Sequence, residues 1–122
     1  MRDFRQLNIW RGSIALATQI YESANAFPTI EIYGLSRQMQ RASVSIASNI
    51  AEGSSRSSET EFARFLEISI GSAIEIETQL IIANELKYVN DDKMAVIIGS
   101  LHDLQKQINQ LITVIRKKKH QS

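Results

Sequence analysis

Between residues 94 and 115 the apolar side chains fall at alternating steps of three and four: Met94, Ile97, Leu101, Leu104, Ile108, Leu111 and Ile115. A strand repeats its faces every second residue, so this spacing describes a helix with one apolar seam. A seam three heptads long must be covered by other helices. Ile98 and Ile112 widen it. The helix is expected over about 92–117. Asn90 to Asp92 suit a helix N-terminus, and Arg116 to Lys119 complement the negative C-terminal end of the helix dipole.

Three earlier segments supply the partners. The first helix is expected over about 3–24, with Leu7, Trp10, Ile14, Ala17 and Tyr21 as its seam. Pro28 ends that pattern, and Thr29 to Tyr33 has room for one short turn. The second helix is expected over about 36–52, starting at Leu35 or Ser36. Ser36 is its N-cap, Leu35, Met39, Ala42, Ile46 and Ile50 face the core, and Gly53 stands where a left-handed C′ residue would. The third is expected over about 59–86, opened by a capping box from Ser58 and Glu61. Its inner stripe is Phe62, Phe65, Ser69, Ala73, Ile76, Leu80 and Ala83. A second apolar set, Ile70, Ile74 and Ile81, lies a quarter turn or more away. It fits either a helix deep in the bundle or a subunit interface. Short connections between long helices favour antiparallel neighbours. The expected fold is all-α: one antiparallel up-down-up-down four-helix bundle over residues 1–122, with a basic tail from 116.

Composition narrows the function classes. The chain has 122 residues, 43% hydrophobic and 22% charged, the balance of a globular protein. It has no cysteine, so disulfides and thiolate metal sites are excluded. No secretory leader or uncharged membrane-length run is visible, which points to the cytoplasm and to no membrane partner. Two histidines, His102 and His120, lack the Glu-x-x-His spacing of di-iron bundles, so no metal and no cofactor are expected.

Charge is unevenly placed. Residues 1–21 hold three Arg and one Asp, residues 22–103 hold six basic and twelve acidic side chains, and residues 104–122 hold five basic and no acidic ones. In an up-down bundle both termini and the second connection meet at one end. Arg2, Arg5, Arg56, Arg116, Lys117, Lys118 and Lys119 would gather there as phosphate contacts, without reading bases. A solvated tail is the plainer reading of the last four. No named nucleic-acid motif is present.

The second helix also carries a polar face, Gln38, Arg41, Ser45, Ser48 and Glu52, with Asn49 at its border. Gly71, inside the third helix, suggests close approach of the second, with Arg41 pairing Glu75 or Glu52 and Asn49 bonding backbone near Gly53. No activated nucleophile stands beside a base. Arg41, Asn49, Glu52 and Glu75 are therefore read as a structural polar network, the chain is expected not to be an enzyme, and no small-molecule substrate is expected.

The order Phe27-Pro28, Glu31, Tyr33-Gly34-Leu35, Gln38, Arg41-Ala42, Ser45-Ile46, Asn49-Ile50-Ala51-Glu52-Gly53 continues through Arg56, Phe62, Phe65-Leu66, Gly71-Ser72, Glu75, Gln79-Leu80 and Tyr88. This resembles the bacterial four-helix-bundle family named for proteins encoded in intervening sequences of 23S ribosomal RNA genes. The resemblance covers nearly the whole chain and is densest from Phe27 to Leu80. It implies an antiparallel four-helix bundle and a cyclic homopentamer, which would give Ile70, Ile74 and Ile81 an interface role. Distant relatives serve as accessory proteins of diversity-generating retroelements, where a basic surface engages nucleic acid and a reverse transcriptase. Most members have no established biochemical activity, and the ribosomal name records gene location. One departure stands out: Leu86-Lys87-Tyr88 replaces the family's Leu-Gly-Tyr, so either Lys87 adopts a left-handed conformation or the third helix ends differently. The resulting expectation is an oligomeric bundle that binds RNA, DNA or a nucleoprotein through a basic end. The alternative is a protein-interaction scaffold that presents its acidic sides.

Overall fold

The computed structural model describes residues 2–121, with side chains through Lys118. It contains four α-helices: α1 (Asn8–Asn25), α2 (Leu35–Ser54), α3 (Glu59–Glu85) and α4 (Asp91–Gln121). Two 3-10 turns, Phe4–Gln6 and Thr29–Glu31, precede α1 and α2. No strand occurs among the described residues. α1 packs on α2 and α4, and α3 packs on the same two helices.

The seams of α2, α3 and α4 converge on one core. Ile46, Ile50, Leu66, Ile76, Leu80, Leu101 and Ile108 are fully enclosed there. α1 differs from the expected seam. Ile9, Ser13, Leu16, Ile20 and Ala24 are buried, whereas Ile14 and Tyr21 are 42% and 41% exposed. The two candidate seams lie one residue, or about 100°, apart. Ser13 conceals the true one, because its hydroxyl donates to Trp10 O (2.6 Å) and so enters the core without an unsatisfied group. The helix also starts at residue 8 rather than 3. The Asp3 carboxylate accepts from Arg5 N–H (3.1 Å) to cap the 3-10 turn, and extended Leu7 separates that turn from α1.

The other boundaries carry three further corrections. α2 begins at Leu35, whose N–H donates to Glu31 Oε1 (3.1 Å); Ser36 lies inside the helix and donates to Ala24 O (3.3 Å). α2 runs on to Ser54 through Gly53, and no described glycine has a positive φ. Gly53 is bare for packing: a Cβ there would lie 2.6 Å from Phe65 Cβ and 3.1 Å from Phe62 Cδ1. At α3 only half of the capping box forms. Ser58 Oγ accepts from Glu61 N–H (3.2 Å), while the Glu61 carboxylate turns to Arg64 (3.1 Å).

The end of α3 resolves the Lys87 alternatives. Lys87 is left-handed, with φ 65°. Tyr88 N–H donates to Ala83 O (2.8 Å) and Lys87 N–H to Asn84 O (2.9 Å), the paired bonds of a Schellman ending. Asn84 Nδ2 then donates to Val89 O (3.1 Å) and Asp91 Oδ1 (2.8 Å), tying the turn to the start of α4. α4 ends at Gln121, four residues later than expected.

Candidate functional site

The N-terminal arm lies against α2 and α3. Arg2 forms an ion pair with Glu59, and its guanidinium sits 4.6 Å from the centre of the Phe62 ring. Arg5 pairs with Asp3 (3.3 Å) and lies over Phe4, whose ring meets Trp10 edge-on at 5.2 Å. Arg56 lies 4.9 Å from the Phe65 ring centre, and Arg64 approaches the same ring at the same distance. Arg116 pairs with Glu67, eight residues or about 12 Å along α3 from Glu59. Lys117 and Lys118 follow it and are exposed. The Lys119 side chain lies outside the described residues.

These cations are not equivalent. Arg2, Arg5 and Arg116 have carboxylate partners, while among the described residues Arg56, Lys117 and Lys118 have none. The three pairs are exposed, a setting in which an ion pair contributes about 0–1 kcal/mol and opens at little cost. Between the arm and the Ser48, Asn49, Glu52 and Ser55 face of α2 runs an open groove of about 720 Å³.

The expected network of Arg41, Asn49, Glu52 and Glu75 does not form. Arg41 and Glu52 are eleven residues apart on one helix, about 16 Å, too far to meet. Arg41 and Glu75 line one groove of about 470 Å³ with Gln38, Ser45 and Ser72, yet no hydrogen bond joins them. Asn49 serves its own helix, donating to Ser45 O (2.8 Å) and Ser45 Oγ (3.1 Å), away from the Gly53 turn. The polar part of the contact between α2 and α3 is made by serines: Ser45 Oγ meets Ser72 Oγ (3.0 Å), and Ser69 Oγ donates to Ile46 O (3.1 Å). The expected close approach at Gly71 is also absent, since a Cβ there would meet nothing within 4 Å. Of the second apolar set on α3, Ile70 packs half-buried on the core, whereas Ile74 and Ile81 are 56% and 46% exposed.

Three features escaped the sequence reading. Glu31 joins two connections, because its second carboxylate oxygen accepts from Tyr88 Oη (2.9 Å) while Phe27 and Tyr88 pack ring against ring at 5.4 Å. That hydrogen bond, then burial, then the carboxylate charge, raise the Tyr88 pKa above 10.0. His102, on the surface of α4, bonds Glu77 Oε1 (2.6 Å). Gln79 is 5% exposed, and its Oε1 has no donor. Only Glu31, Gln79 and Tyr88 carried a signal, through their place in the family pattern.

Among the described residues no cluster of three or more His, Cys, Asp or Glu side chains could hold a metal ion. No described helix is long and apolar enough to cross a membrane.

The pattern of the 23S rRNA-intervening sequence protein family matches residues 5–110. A crystal structure from Bacteroides thetaiotaomicron VPI-5482, described as a protein with unknown function from the S23 ribosomal protein family, has the same fold. Its TM-score is 0.79 at 22% sequence identity, over 85% of this chain and 97% of that one. No curated protein matches the chain. With residues 5–110 inside the family pattern, well over half of its length, this chain belongs to the 23S rRNA-intervening sequence protein family.

Proposed function

We propose that this chain is a non-enzymatic, self-associating four-helix bundle of the bacterial cytoplasm that engages the phosphate backbone of RNA or DNA through its basic end. The observation that carries the reading is that, of the cations expected at the basic end, Arg56, Lys117 and Lys118 have no carboxylate partner among the described residues, while Arg2, Arg5 and Arg116 are held in labile surface pairs. Guanidinium groups resting on ring faces keep their N–H edges available to phosphate oxygens.

An antiparallel up-down-up-down arrangement supports this gathering of charge. Partner numbers run in opposite senses between neighbours: Glu67 with Arg116 and Glu77 with His102 on α3 and α4, Ser45 with Ser72 and Ile46 with Ser69 on α2 and α3. The Arg2–Glu59 pair brings the chain start to the α2–α3 connection, and Glu31–Tyr88 joins the other two connections. Exposed Ile74 and Ile81 support self-association. The ring of five that the family resemblance implies would repeat the basic end about one axis.

Salt titration of binding to single-stranded RNA and DNA tests the proposal. Each phosphate contact should add about −0.7 to the slope of log affinity against log salt. Ending the chain after Ile115 should flatten that slope and weaken binding. Binding that does not respond to salt would overturn the reading.

The protein-scaffold reading is favoured by one observation: carboxylates already occupy Arg2, Arg5 and Arg116. It requires a partner protein retained after nuclease treatment, and loss of every partner with nuclease would remove it.

A further inference from the structure

The groove between the N-terminal arm and α2 has two unlike walls. Arg2 and Arg5 line the arm side, with half-buried Phe4 between them. Each arginine meets its carboxylate through a single nitrogen, Arg2 Nη2 on Glu59 and Arg5 Nη1 on Asp3. Most of the five N–H donors of each guanidinium are therefore unspent.

The α2 wall offers acceptors instead. Asn49 Nδ2 is engaged by Ser45 O (2.8 Å) and Ser45 Oγ (3.1 Å), which leaves Oδ1 as its open group. The Ser55 hydroxyl donates to Glu52 O (2.7 Å) and can then only accept. Glu52 is exposed, and among the described residues its carboxylate has no cation and no hydrogen-bond donor. Asn49, Glu52 and Ser55 follow one another at steps of three at the C-terminal end of α2, where the helix dipole is negative. This wall repels an anion and favours N–H donors, whereas the arm favours an anion.

A nucleotide carries both kinds of group, and the bases differ in the donors they place side by side. Guanine presents N1–H and N2–H together. The amino groups of adenine and cytosine are each flanked by a ring-nitrogen acceptor, and the single N–H of uracil lies between two carbonyls. Only the guanine edge can give a carboxylate two parallel N–H···O bonds, the fork that a guanidinium also uses.

We infer that this groove seats an unpaired guanine of the bound strand, with the Glu52 carboxylate on N1–H and N2–H, Phe4 against the base, and Arg2 and Arg5 on the neighbouring phosphates. The inference rests on the phosphate-backbone reading and adds base recognition to it. The base is unpaired because in a duplex the same edge is taken by cytosine. A cationic peptide would satisfy α2 alone, and free phosphate the arm alone. A strand rather than a free nucleotide is the occupant, because Arg56 directly follows the α2 wall and continues the phosphate contacts. The groove, about 720 Å³, lies within the roughly 300–1,000 Å³ of small-ligand sites.

Fluorescence anisotropy on the full chain tests it with an oligouridine carrying spaced guanines, and with the same strand bearing inosine or adenine in their place. The wild type should bind the guanine strand at least about fivefold more tightly than the adenine strand, as a bidentate base contact does. Inosine, which lacks the N2 amino group, should fall between them. Glu52→Gln should bind all three alike, because its amide turns an N–H toward the guanine donors, and should keep the wild-type salt slope. Wild-type binding that ignores the base would overturn the seat and leave the phosphate reading standing. A guanine preference that survives in Glu52→Gln would also overturn the seat. Guanosine monophosphate that displaces the strand as effectively as unlabelled strand would overturn the strand as occupant. No binding of any strand at low salt would remove both readings together.

Discussion

At Gly53 one missing methyl group decides how α2 meets α3. The local pattern of an apolar helix followed by Gly-Ser-Ser reads as a helix end, and the residue is instead helical and pressed against Phe62 and Phe65. The cause lies across the connection, in side chains that the local pattern does not contain. Gly53→Ala would favour the helix by about 1 kcal/mol, but it places a Cβ 2.6 Å from Phe65 Cβ. Overpacking of this kind costs about 1–3 kcal/mol, so a lower denaturation midpoint is expected; a raised midpoint would show that the α2–α3 contact yields easily. Lys87 is the opposite case. Its left-handed conformation costs about 1–2 kcal/mol, and no side-chain bond offsets it. Lys87→Gly should therefore stabilise the fold by roughly 1 kcal/mol and raise the midpoint, and an unchanged midpoint would remove the strain from the account.

Elements were legible where one periodic signal stood alone. α3 and α4 follow their apolar stripes almost residue for residue, and α2 does so at Met39, Ala42, Ile46 and Ile50. α1 offered two stripes one residue apart, and bulk favoured the wrong one because a buried serine interrupts the other. The start of α2 was legible to within a residue, but the group that fixes it was not: Glu31, four residues upstream, accepts from Leu35 N–H and is itself held by Tyr88 from the α3–α4 connection. That bond has a pH signature. The Tyr88 pKa is raised in the folded protein, so the bond stabilises the fold below the ordinary tyrosine value of 10.0 and is lost as pH rises through the higher folded value. Wild type should melt above Tyr88→Phe at neutral pH, and the gap should close in the alkaline range. A gap that stays constant would mean that the hydroxyl bond contributes nothing.

For the whole molecule, the sequence showed where charge accumulates but not how much of it is already neutralised. Arg2 and Arg116 find Glu59 and Glu67, pairings that no periodicity reveals because they depend on which elements become neighbours, while Arg5 finds Asp3 two residues away in the N-terminal arm. The anticipated polar network failed for the same reason: spacing along α2 fixes a shared face, but the partner across it is set by α3. Of the cations expected at the basic end, Arg56, Lys117 and Lys118 have no carboxylate partner among the described residues, and the functional account rests on them. The direct test is binding of a single-stranded oligonucleotide at low salt by three proteins: the wild type, Arg56→Glu/Lys117→Glu/Lys118→Glu, and Arg37→Glu/Lys93→Glu, which reverses exposed cations in the first turns of α2 and α4. The account predicts comparable binding by the first and third and a loss of at least about tenfold in the second. Equal binding by all three, or none by the wild type, would contradict it.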